Sequence, residues 1–267
     1  MSRAMSNTIL LEKSGGVATI TLNRAEVLNS FNREMSGALV DALQDVALDR
    51  GVRAILLTGS GRGFCTGQDL AECVDGIKAG ETPELGPIVR ERYNPVIQLV
   101  RETEKPFICA VNGVAAGAGA NLALACDIVL AAESATFIQS FSKVGLIPDS
   151  GGSFILPRLV GYARAQALTY LAEKITSSQA FEMGMIYKVL PGAELLPAAQ
   201  ELAIQLASQP TKGLGFIKRL FNAGMGNDLR TQLALEEQLQ DEAGRSYDYS
   251  EGVLAFIEKR APNFKGE

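Results

Sequence analysis

The sequence predicts an α/β fold with a helical C-terminal part, and three observations carry this prediction. Short continuous apolar runs such as Ala54–Gly59 are typical of buried strands. Amphipathic segments, with an apolar residue at every third or fourth position, alternate with these runs and predict helices. From about residue 161 the pattern becomes almost entirely helical. We therefore expect an α/β core over residues 1–200 and a helical region over residues 201–267.

The chain opens with a predicted β-hairpin and a predicted helix. Two alternating runs, Thr8–Glu12 and Val17–Leu22, flank Ser14-Gly15-Gly16, which has the composition of a hairpin turn. Asn32 then stands where the N-cap of a helix is expected, and this helix should end near Gly51. Its predicted buried stripe consists of Met35, Leu39, Leu43 and Val46.

The middle of the chain alternates between further helices and strands. After Ala54–Gly59, the sequence predicts a helix from about Asp69 and a long helix from about Ile88 to Glu104. Three more buried strands are expected after the long helix, at residues 106–111, 127–131 and 135–139. The strand at 106–111 should run directly into a glycine-rich stretch.

Histidine is absent from the 267 residues. Its absence excludes Ser-His-Asp and Cys-His catalysis, and it also excludes zinc sites of the HExxH type. Acid–base chemistry must therefore fall to Asp, Glu, Lys, Tyr or Cys side chains. We expect no metal site in this chain.

The charge and hydropathy of the chain argue against nucleic acid and membranes as partners. The formal net charge is -5, and no run of Lys and Arg is longer than two residues, so a phosphate polymer gains no general electrostatic attraction. Every apolar stretch is interrupted well before the roughly 18 residues that a transmembrane helix needs. The N-terminal residues also lack the apolar core of a signal peptide. We expect a cytoplasmic protein.

Two strands are expected to end in glycine-rich corners, at Gly63–Asp69 and Gly117–Asn121. Small residues let a ligand approach the backbone closely, and the start of a helix leaves N–H groups free to point at negative charge. Together the corners could form a site with two N–H donors for an oxyanion. The alternative is that the glycines only close tight strand-to-helix turns. A dinucleotide-binding loop is disfavoured because Leu122 stands where the third glycine of that fingerprint belongs.

Five motifs, in order along essentially the whole chain, resemble those of one enzyme family. They are LNRAEVLNSFN at 22–32, GRGFCTGQDL at 61–70, AVNGVAAGAGANLALACDI at 110–128, GLIPDSGGSFILPRLVG at 145–161 and FIEKRAPNF at 256–264. On these motifs the chain is identified as a member of the enoyl-CoA hydratase/isomerase (crotonase) superfamily. The resemblance implies a crotonase-like spiral of ββα units, followed by a helical C-terminal oligomerisation region that builds homotrimers or hexamers. It also implies an acyl-CoA thioester as substrate, with coenzyme A as part of that substrate and no further cofactor.

The resemblance assigns the two glycine corners to the thioester carbonyl. Members of the family hold this oxygen between two backbone N–H groups, which are implied to be those of Gln68 and Ala118 in this chain. Because the donors are main-chain groups, turn geometry matters more than side-chain identity. The same corners place further residues at the predicted substrate site, namely Gly67, Asp69, Leu70, Gly117 and Gly119.

The residues that the family's hydratases use to activate water are replaced in this chain. The two glutamates of those enzymes correspond to Asn121 and Phe141, and neither side chain can take a proton. Asp149 is the implied single acid/base of an isomerase, and its alternative role is to cap the helix Gly151–Val160. Burial should raise its pKa and the helix start should lower it, with the net direction open. Asn121 and Phe141 are still expected at the substrate, where Asn121 either orients it or caps its own helix.

Within the family, the chain most resembles isomerases that act on ring-1,2-epoxyphenylacetyl-CoA and also shift double bonds in enoyl-CoAs. The runs RGFC-GQDL, NGVAAGAGA-LAL, FSK-GLIPD-GG and EGV-AF--KR carry this resemblance. Tyr93 belongs to the same pattern and is expected either at the substrate or in packing. Lys259 and Arg260 could bind the phosphates of coenzyme A or lie at a solvated helix end. The alternatives are an enoyl-CoA hydratase, a hydrolase or dehalogenase of the same fold, and a non-catalytic acyl-CoA- or RNA-binding member.

Overall fold

The computed structural model describes residues 6–267, and across these residues ten strands form two β-sheets. The strands are β1 (Ile9–Ser14), β2 (Val17–Leu22), β3 (Ala54–Gly59), β4 (Gly63–Cys65), β5 (Phe107–Val111), β6 (Val114–Ala116), β7 (Ile128–Ala132), β8 (Thr136–Ile138), β9 (Ile175–Thr176) and β10 (Lys188–Leu190). The larger sheet has the order β1-β2-β3-β5-β7-β10, and the smaller has the order β4-β6-β8-β9.

Helices cover the sheets and make up most of the chain after residue 150. They are α1 (Arg33–Leu48), α2 (Ala71–Lys78), α3 (Leu85–Ile88), α4 (Asn94–Glu102), α5 (Ala118–Ala125), α6 (Gly152–Val160), α7 (Tyr162–Leu171), α8 (Ser177–Glu182), α9 (Gly192–Ala207), α10 (Thr211–Gly224), α11 (Leu229–Gly244) and α12 (Tyr247–Glu258). A π-helical turn, Val89–Tyr93, joins α3 to α4, so the long helix predicted near this position is continuous but irregular. Two 3₁₀ turns lie at Ala25–Val27 and Ser140–Val144.

The larger sheet confirms three predicted buried strands as β3, β5 and β7, and the fourth, predicted at 135–139, is β8 of the smaller sheet. β1 and β2 pair antiparallel as the predicted hairpin, where Gly15 and Gly16 adopt positive φ angles of 58° and 81°. The other neighbours, from β2 through β3, β5 and β7 to β10, pair in parallel. Every residue of β5 is buried. Burial on both faces of a parallel sheet explains why these strands read as continuous apolar runs.

The structure of α1 follows directly from its sequence pattern. The Asn32 side-chain oxygen accepts a hydrogen bond from the Met35 N–H at 2.8 Å, which is the predicted N-cap. Such a cap is worth about 1 kcal/mol. The predicted apolar stripe is buried against the larger sheet and consists of Met35, Leu39, Leu43 and Val46.

The smaller sheet contains short strands that the sequence analysis did not predict. β4, β6 and β9 have three, three and two residues, too few to show a strand pattern. β6 lies inside the glycine-rich stretch into which β5 was expected to run directly, which corrects that expectation. β4, β6 and β8 are parallel neighbours and follow β3, β5 and β7 of the larger sheet. This repeated unit brings the segments after β4, β6 and β8 to one edge, because the carboxyl ends of parallel strands meet there.

From residue 161 onward the chain is helical apart from the short strands β9 and β10, in agreement with the almost entirely helical pattern predicted there. β10 completes the larger sheet by pairing with β7. α9 packs on this sheet through buried Leu195, Ala199 and Ala203, so the boundary predicted at residue 200 falls inside a core helix. In residues 6–267 no helix combines the length and the apolar character that spanning a bilayer requires.

Candidate active site

The two glycine-rich corners meet at the carboxyl ends of β4 and β6. Gly67 has a φ of 82° and Gly117 has a φ of 52°, values that glycine adopts without steric cost. A Cβ atom added to Gly67 would lie 3.0 Å from the carbonyl oxygen of Ala116 and 3.2 Å from the backbone nitrogen of Ala118. The backbones of the two corners are therefore in contact, and Gly67 has no space for a side chain.

The N–H groups of Gln68 and Ala118 are not used in the backbone hydrogen bonds of the bridge and the helix to which these residues belong. Phe31 pairs with Gln68 in an isolated parallel bridge, in which the Phe31 N–H donates to the Gly67 oxygen at 2.7 Å and the Asp69 N–H donates to the Phe31 oxygen at 2.9 Å. Between these two bonds, the Gln68 N–H points to the opposite side of the strand. Ala118 is the first residue of α5, so its N–H has no partner within the helix.

One cavity of about 210 Å³ has both of these residues and Asp149 in its wall. Asp149 is the only carboxylate, and Lys143 the only cation, among the described residues that line it. Phe141 is buried in this wall, so an aromatic ring stands where the family resemblance implies a glutamate in hydratases. The full lining is Thr66, Gly67, Gln68, Leu70, Gly117, Ala118, Ser140, Phe141, Lys143, Val144, Leu146 and Asp149.

Asp149 opens a tight turn of unusual backbone conformation. Its carbonyl oxygen accepts a hydrogen bond from the Gly152 N–H at 2.8 Å, and the two central residues, Ser150 and Gly151, have φ angles of 49° and 72°. Positive φ at both central positions defines the mirror-image turn that glycine favours. Ser150 adopts it at a cost of about 1 kcal/mol. Such strain is concentrated at functional sites.

The Asp149 side chain does not cap the following helix. Gly151 is the N-cap of α6, and α6 has no side-chain cap, so the alternative role predicted for Asp149 is wrong. Its carboxylate instead accepts a hydrogen bond from the Ser150 hydroxyl at 2.9 Å. Burial raises the pKa of Asp149, and the hydrogen bonds from the Ser150 hydroxyl and from its own N–H oppose this shift. A raised pKa favours a carboxyl group that must both take and return a proton.

Asn121 lies behind Asp149 and does not cap its own helix, because the N-cap of α5 is Gly117. It is completely buried within α5 and does not line the cavity. Its side-chain N–H donates to the Asp149 carbonyl oxygen at 2.9 Å, and its side-chain oxygen accepts from Gln139 at 2.9 Å. A Cβ on Gly152 would lie 2.1 Å from the Asn121 nitrogen, so only glycine fits there. This chain of contacts fixes the backbone on which the Asp149 carboxylate stands.

Two other residues expected at the substrate lie outside the cavity wall. The Asp69 carboxylate pairs with Arg24 at 3.0 Å and holds the first corner to the Ala25–Val27 turn. Gly119 packs on β4, where an added Cβ would lie 2.3 Å from the Cys65 carbonyl oxygen. Both positions shape the corners without facing the cavity.

Of the remaining predicted residues, Tyr93 lies beside this cavity, whereas Lys259 and Arg260 do not line it. Tyr93 is 4% exposed and packs its ring against Phe31 with a centroid distance of 5.9 Å, in a small space adjoining Ala118. Lys259 ends α12 in a left-handed conformation, and Arg260 forms ion pairs with Glu251 and Glu258. Neither cation lines the cavity, and their role toward coenzyme A phosphates stays a prediction. Residues 6–267 contain no cluster of three acidic, Cys or His side chains that could hold a metal ion.

Neither Ser150 nor Gln139 was singled out from the sequence. Ser150 contacts Asp149 directly, and Gln139 acts on it through Asn121. Gln139 was placed inside the predicted strand 135–139, whereas in the structure it follows β8 and is buried. Ser150 gave no signal of its own, because its positive φ becomes visible only in the folded turn.

Comparison with known proteins decides the family. Residues 12–267 match the family model described as Enoyl-CoA hydratase/isomerase. The chain is 52% identical over 264 residues to the 1,2-epoxyphenylacetyl-CoA isomerase of Escherichia coli K12, covering 98% of this chain and 100% of that protein. The chain belongs to the enoyl-CoA hydratase/isomerase family.

Other relatives agree on the family and the fold. A Rhodobacter capsulatus protein named "Probable enoyl-CoA hydratase" is 48% identical, with 97% of this chain and 98% of that protein covered. The crystal structure of an enoyl-CoA hydratase from Bacillus anthracis superimposes with a TM-score of 0.91 at 34% identity, covering 97% of this chain and 100% of that chain. The predicted crotonase-like fold is confirmed, and the chain is an enzyme of this family.

Proposed function

We propose that this protein is an acyl-CoA isomerase that works through a thioester enolate, with Asp149 as its single acid/base. We further propose 2-(1,2-epoxy-1,2-dihydrophenyl)acetyl-CoA, an intermediate of phenylacetate catabolism, as its substrate, and double-bond shifts in enoyl-CoAs as a second activity. The 52% identity to the isomerase of Escherichia coli supports this substrate. The reaction class is carried by one observation: Asp149, with its raised pKa, shares a cavity wall with Gln68 and Ala118.

The chemistry that these groups can perform is a proton transfer within one substrate. The Asp149 carboxylate takes a proton from the α-carbon, and the thioester oxygen takes up the negative charge between the N–H groups of Gln68 and Ala118. Each such donor is worth about 3 kcal/mol of barrier. In a double-bond shift, protonated Asp149 returns the proton to another carbon of the conjugated path. Substrate and product are then isomers, so this cycle consumes no other reactant.

Hydration is the second candidate, because the Rhodobacter relative carries that name. Adding water to a double bond needs a group that activates water as well as one that protonates carbon. Asn121 is buried behind Asp149 and Phe141 is aromatic, so neither supplies the second carboxylate. We therefore expect weak or absent hydration. A non-catalytic acyl-CoA- or RNA-binding role is the alternative from another class, and the net charge of -5 opposes RNA.

A panel of thioesters separates these candidates. The purified protein is incubated with crotonyl-CoA, 3-enoyl-CoA and epoxyphenylacetyl-CoA, and products are identified by mass and ultraviolet spectrum. We expect isomers of the same mass from the last two and little hydrated product from the first. Robust addition of water to crotonyl-CoA would contradict the isomerase proposal, and binding without any product would favour the non-catalytic role.

Oligomeric state and cellular location stay predictions. The C-terminal helices expose large apolar side chains, among them Phe221, Leu229, Phe256 and Ile257. Such surfaces favour assembly, in agreement with the homotrimer or hexamer implied by the resemblance. Light scattering of the purified protein distinguishes a monomer, a trimer and a hexamer by mass.

A further inference from the structure

The backbone around Tyr93 is irregular in a way that turns this residue inward. Asn94 donates its N–H to the Val89 oxygen five residues back, which closes a π-helical turn at Val89–Tyr93. Pro95 follows and has no N–H with which to continue the regular ladder. Single π turns inside helices occur frequently at functional sites. Tyr93 is buried, while Arg92 and Asn94 on either side keep contact with solvent.

The hydroxyl group of Tyr93 has no hydrogen-bond partner among residues 6–267, although it is buried. Buried hydroxyl groups in native proteins are nearly always paired, because an unpaired one has lost its water without replacement. Burial, and secondarily the nearby Asp149 carboxylate, raise the pKa of Tyr93. The hydroxyl therefore keeps its proton at working pH and is available as a neutral donor.

A cavity beside Tyr93 has the size of one atom and shares Ala118 with the active-site cavity. A cavity of about 10 Å³ is lined by Tyr93 together with Ala118 and Ser150, and its other walls are mainly apolar. About this volume is needed to hold one water-sized atom, so a ring cannot enter it but a single oxygen can. Ala118 also lines the 210 Å³ cavity, and Ser150 is the hydrogen-bond partner of Asp149. The small cavity beside Tyr93 therefore adjoins the active-site cavity on its Ala118 and Ser150 side.

We propose that the Tyr93 hydroxyl donates a hydrogen bond to an oxygen atom carried on the ring of an aromatic acyl-CoA, and thereby selects ring-oxygenated thioesters over their all-carbon counterparts. This proposal rests on the proposed function, which supplies the contacts to the thioester oxygen. It adds the residue that recognises the oxygen on the ring. Tyr93 is then a specificity-determining contact rather than the acid/base.

Ligand binding tests this proposal without requiring turnover. The dissociation constants of phenylacetyl-CoA and 2-hydroxyphenylacetyl-CoA are measured by calorimetry for the wild type, Tyr93→Phe and Tyr187→Phe. Tyr187 is an exposed tyrosine outside both cavities and serves as the matched control. We expect Tyr93→Phe to weaken 2-hydroxyphenylacetyl-CoA by about tenfold, the effect of one buried hydrogen bond, and phenylacetyl-CoA by less than about twofold. Tyr187→Phe should change neither.

The possible outcomes separate this proposal from the proposed function. Equal weakening of both thioesters, or no weakening of either, would overturn the assignment to Tyr93. A Tyr93-dependent preference in a protein that converts no thioester would leave the assignment standing and contradict the isomerase function. Failure of the wild type to bind either thioester would overturn both. Because phenylalanine has the same ring and removes an unpaired polar atom, Tyr93→Phe should melt at or above the wild-type temperature.

Discussion

The two halves of the candidate site rely on different chemical groups. The glycine corners offer main-chain N–H groups, positioned by the backbone of Gly67 and Gly117 and by the start of α5. The Asp149 turn instead relies on side chains, namely the carboxylate itself, the Ser150 hydroxyl and the Asn121 amide. Substitutions that fill the space around the corner backbone should therefore disable the first half. Substitutions that change a few side-chain atoms should disable the second.

The largest effect is expected from Asp149→Asn, which keeps the shape of the side chain and removes its ability to take a proton. We expect isomerase kcat to fall by about 10³-fold, within the usual range for loss of a general acid/base. Affinity for a non-reactive acyl-CoA should stay within about twofold, because the corners still hold the thioester oxygen. Steady-state kinetics and calorimetry measure the two quantities. A variant that keeps most of its turnover would show that the base lies elsewhere.

The next largest effect is expected from Gly67→Ala, which adds one methyl group to the first corner. The new Cβ would meet the Ala116 oxygen at 3.0 Å and the Ala118 nitrogen at 3.2 Å, at a φ of 82°. Displacing one oxyanion donor should lower kcat by about 10²-fold. Gly80→Ala is the matched control, since Gly80 has a φ of 80° but nothing within 4 Å of its added Cβ. Equal kinetic losses in both variants would mean that backbone strain, not the corner, sets the rate.

A smaller effect, visible mainly in its pH dependence, is expected from Ser150→Ala. In the proposed mechanism the base is ionised, so we expect kcat/KM to rise with pH through the pKa of Asp149, which burial holds above the ordinary value of about 4. Removing the Ser150 hydroxyl removes a contribution that lowers this pKa. The acidic limb of the profile should move to higher pH, with about a threefold loss of kcat/KM on that limb. If the acidic limb of kcat/KM against pH is the same in the variant and the wild type, Ser150 does not influence the pKa of Asp149.

The smallest effect is expected from Gln68→Ala, although Gln68 lies at the centre of the site. Its proposed contribution is the backbone N–H, which alanine retains, and its side chain contacts only Cys73 at 3.5 Å among the hydrogen bonds that the structure describes. Both kcat and KM should stay within about twofold of the wild type. A large loss in either constant would assign the role to the amide side chain and remove the contrast between the two halves.

The longer strands and the helix that frame this site could be predicted from the sequence better than the contacts that support it. β3 and β5 were predictable because burial on both faces requires a continuous apolar run, and α1 was predictable because burial of one face imposes a helical period. β4 and β6 were not, since three residues carry no period. The role of Asn121 depends on Gln139, eighteen residues away, and on the Asp149 carbonyl. The direction of the Asp149 pKa shift likewise required the burial that only the fold reveals.

Hydrogen exchange at the α-carbon of phenylacetyl-CoA in deuterium oxide tests the central claim most directly. This thioester has an aromatic ring but no enoyl double bond or epoxide to rearrange, so exchange reports only proton removal and enolate formation. We expect enzyme-catalysed deuterium uptake in the wild type, a loss of about 10³-fold in Asp149→Asn, and unchanged binding in that variant. Exchange that persists in Asp149→Asn, or a wild type that binds the thioester without exchanging it, would contradict the account.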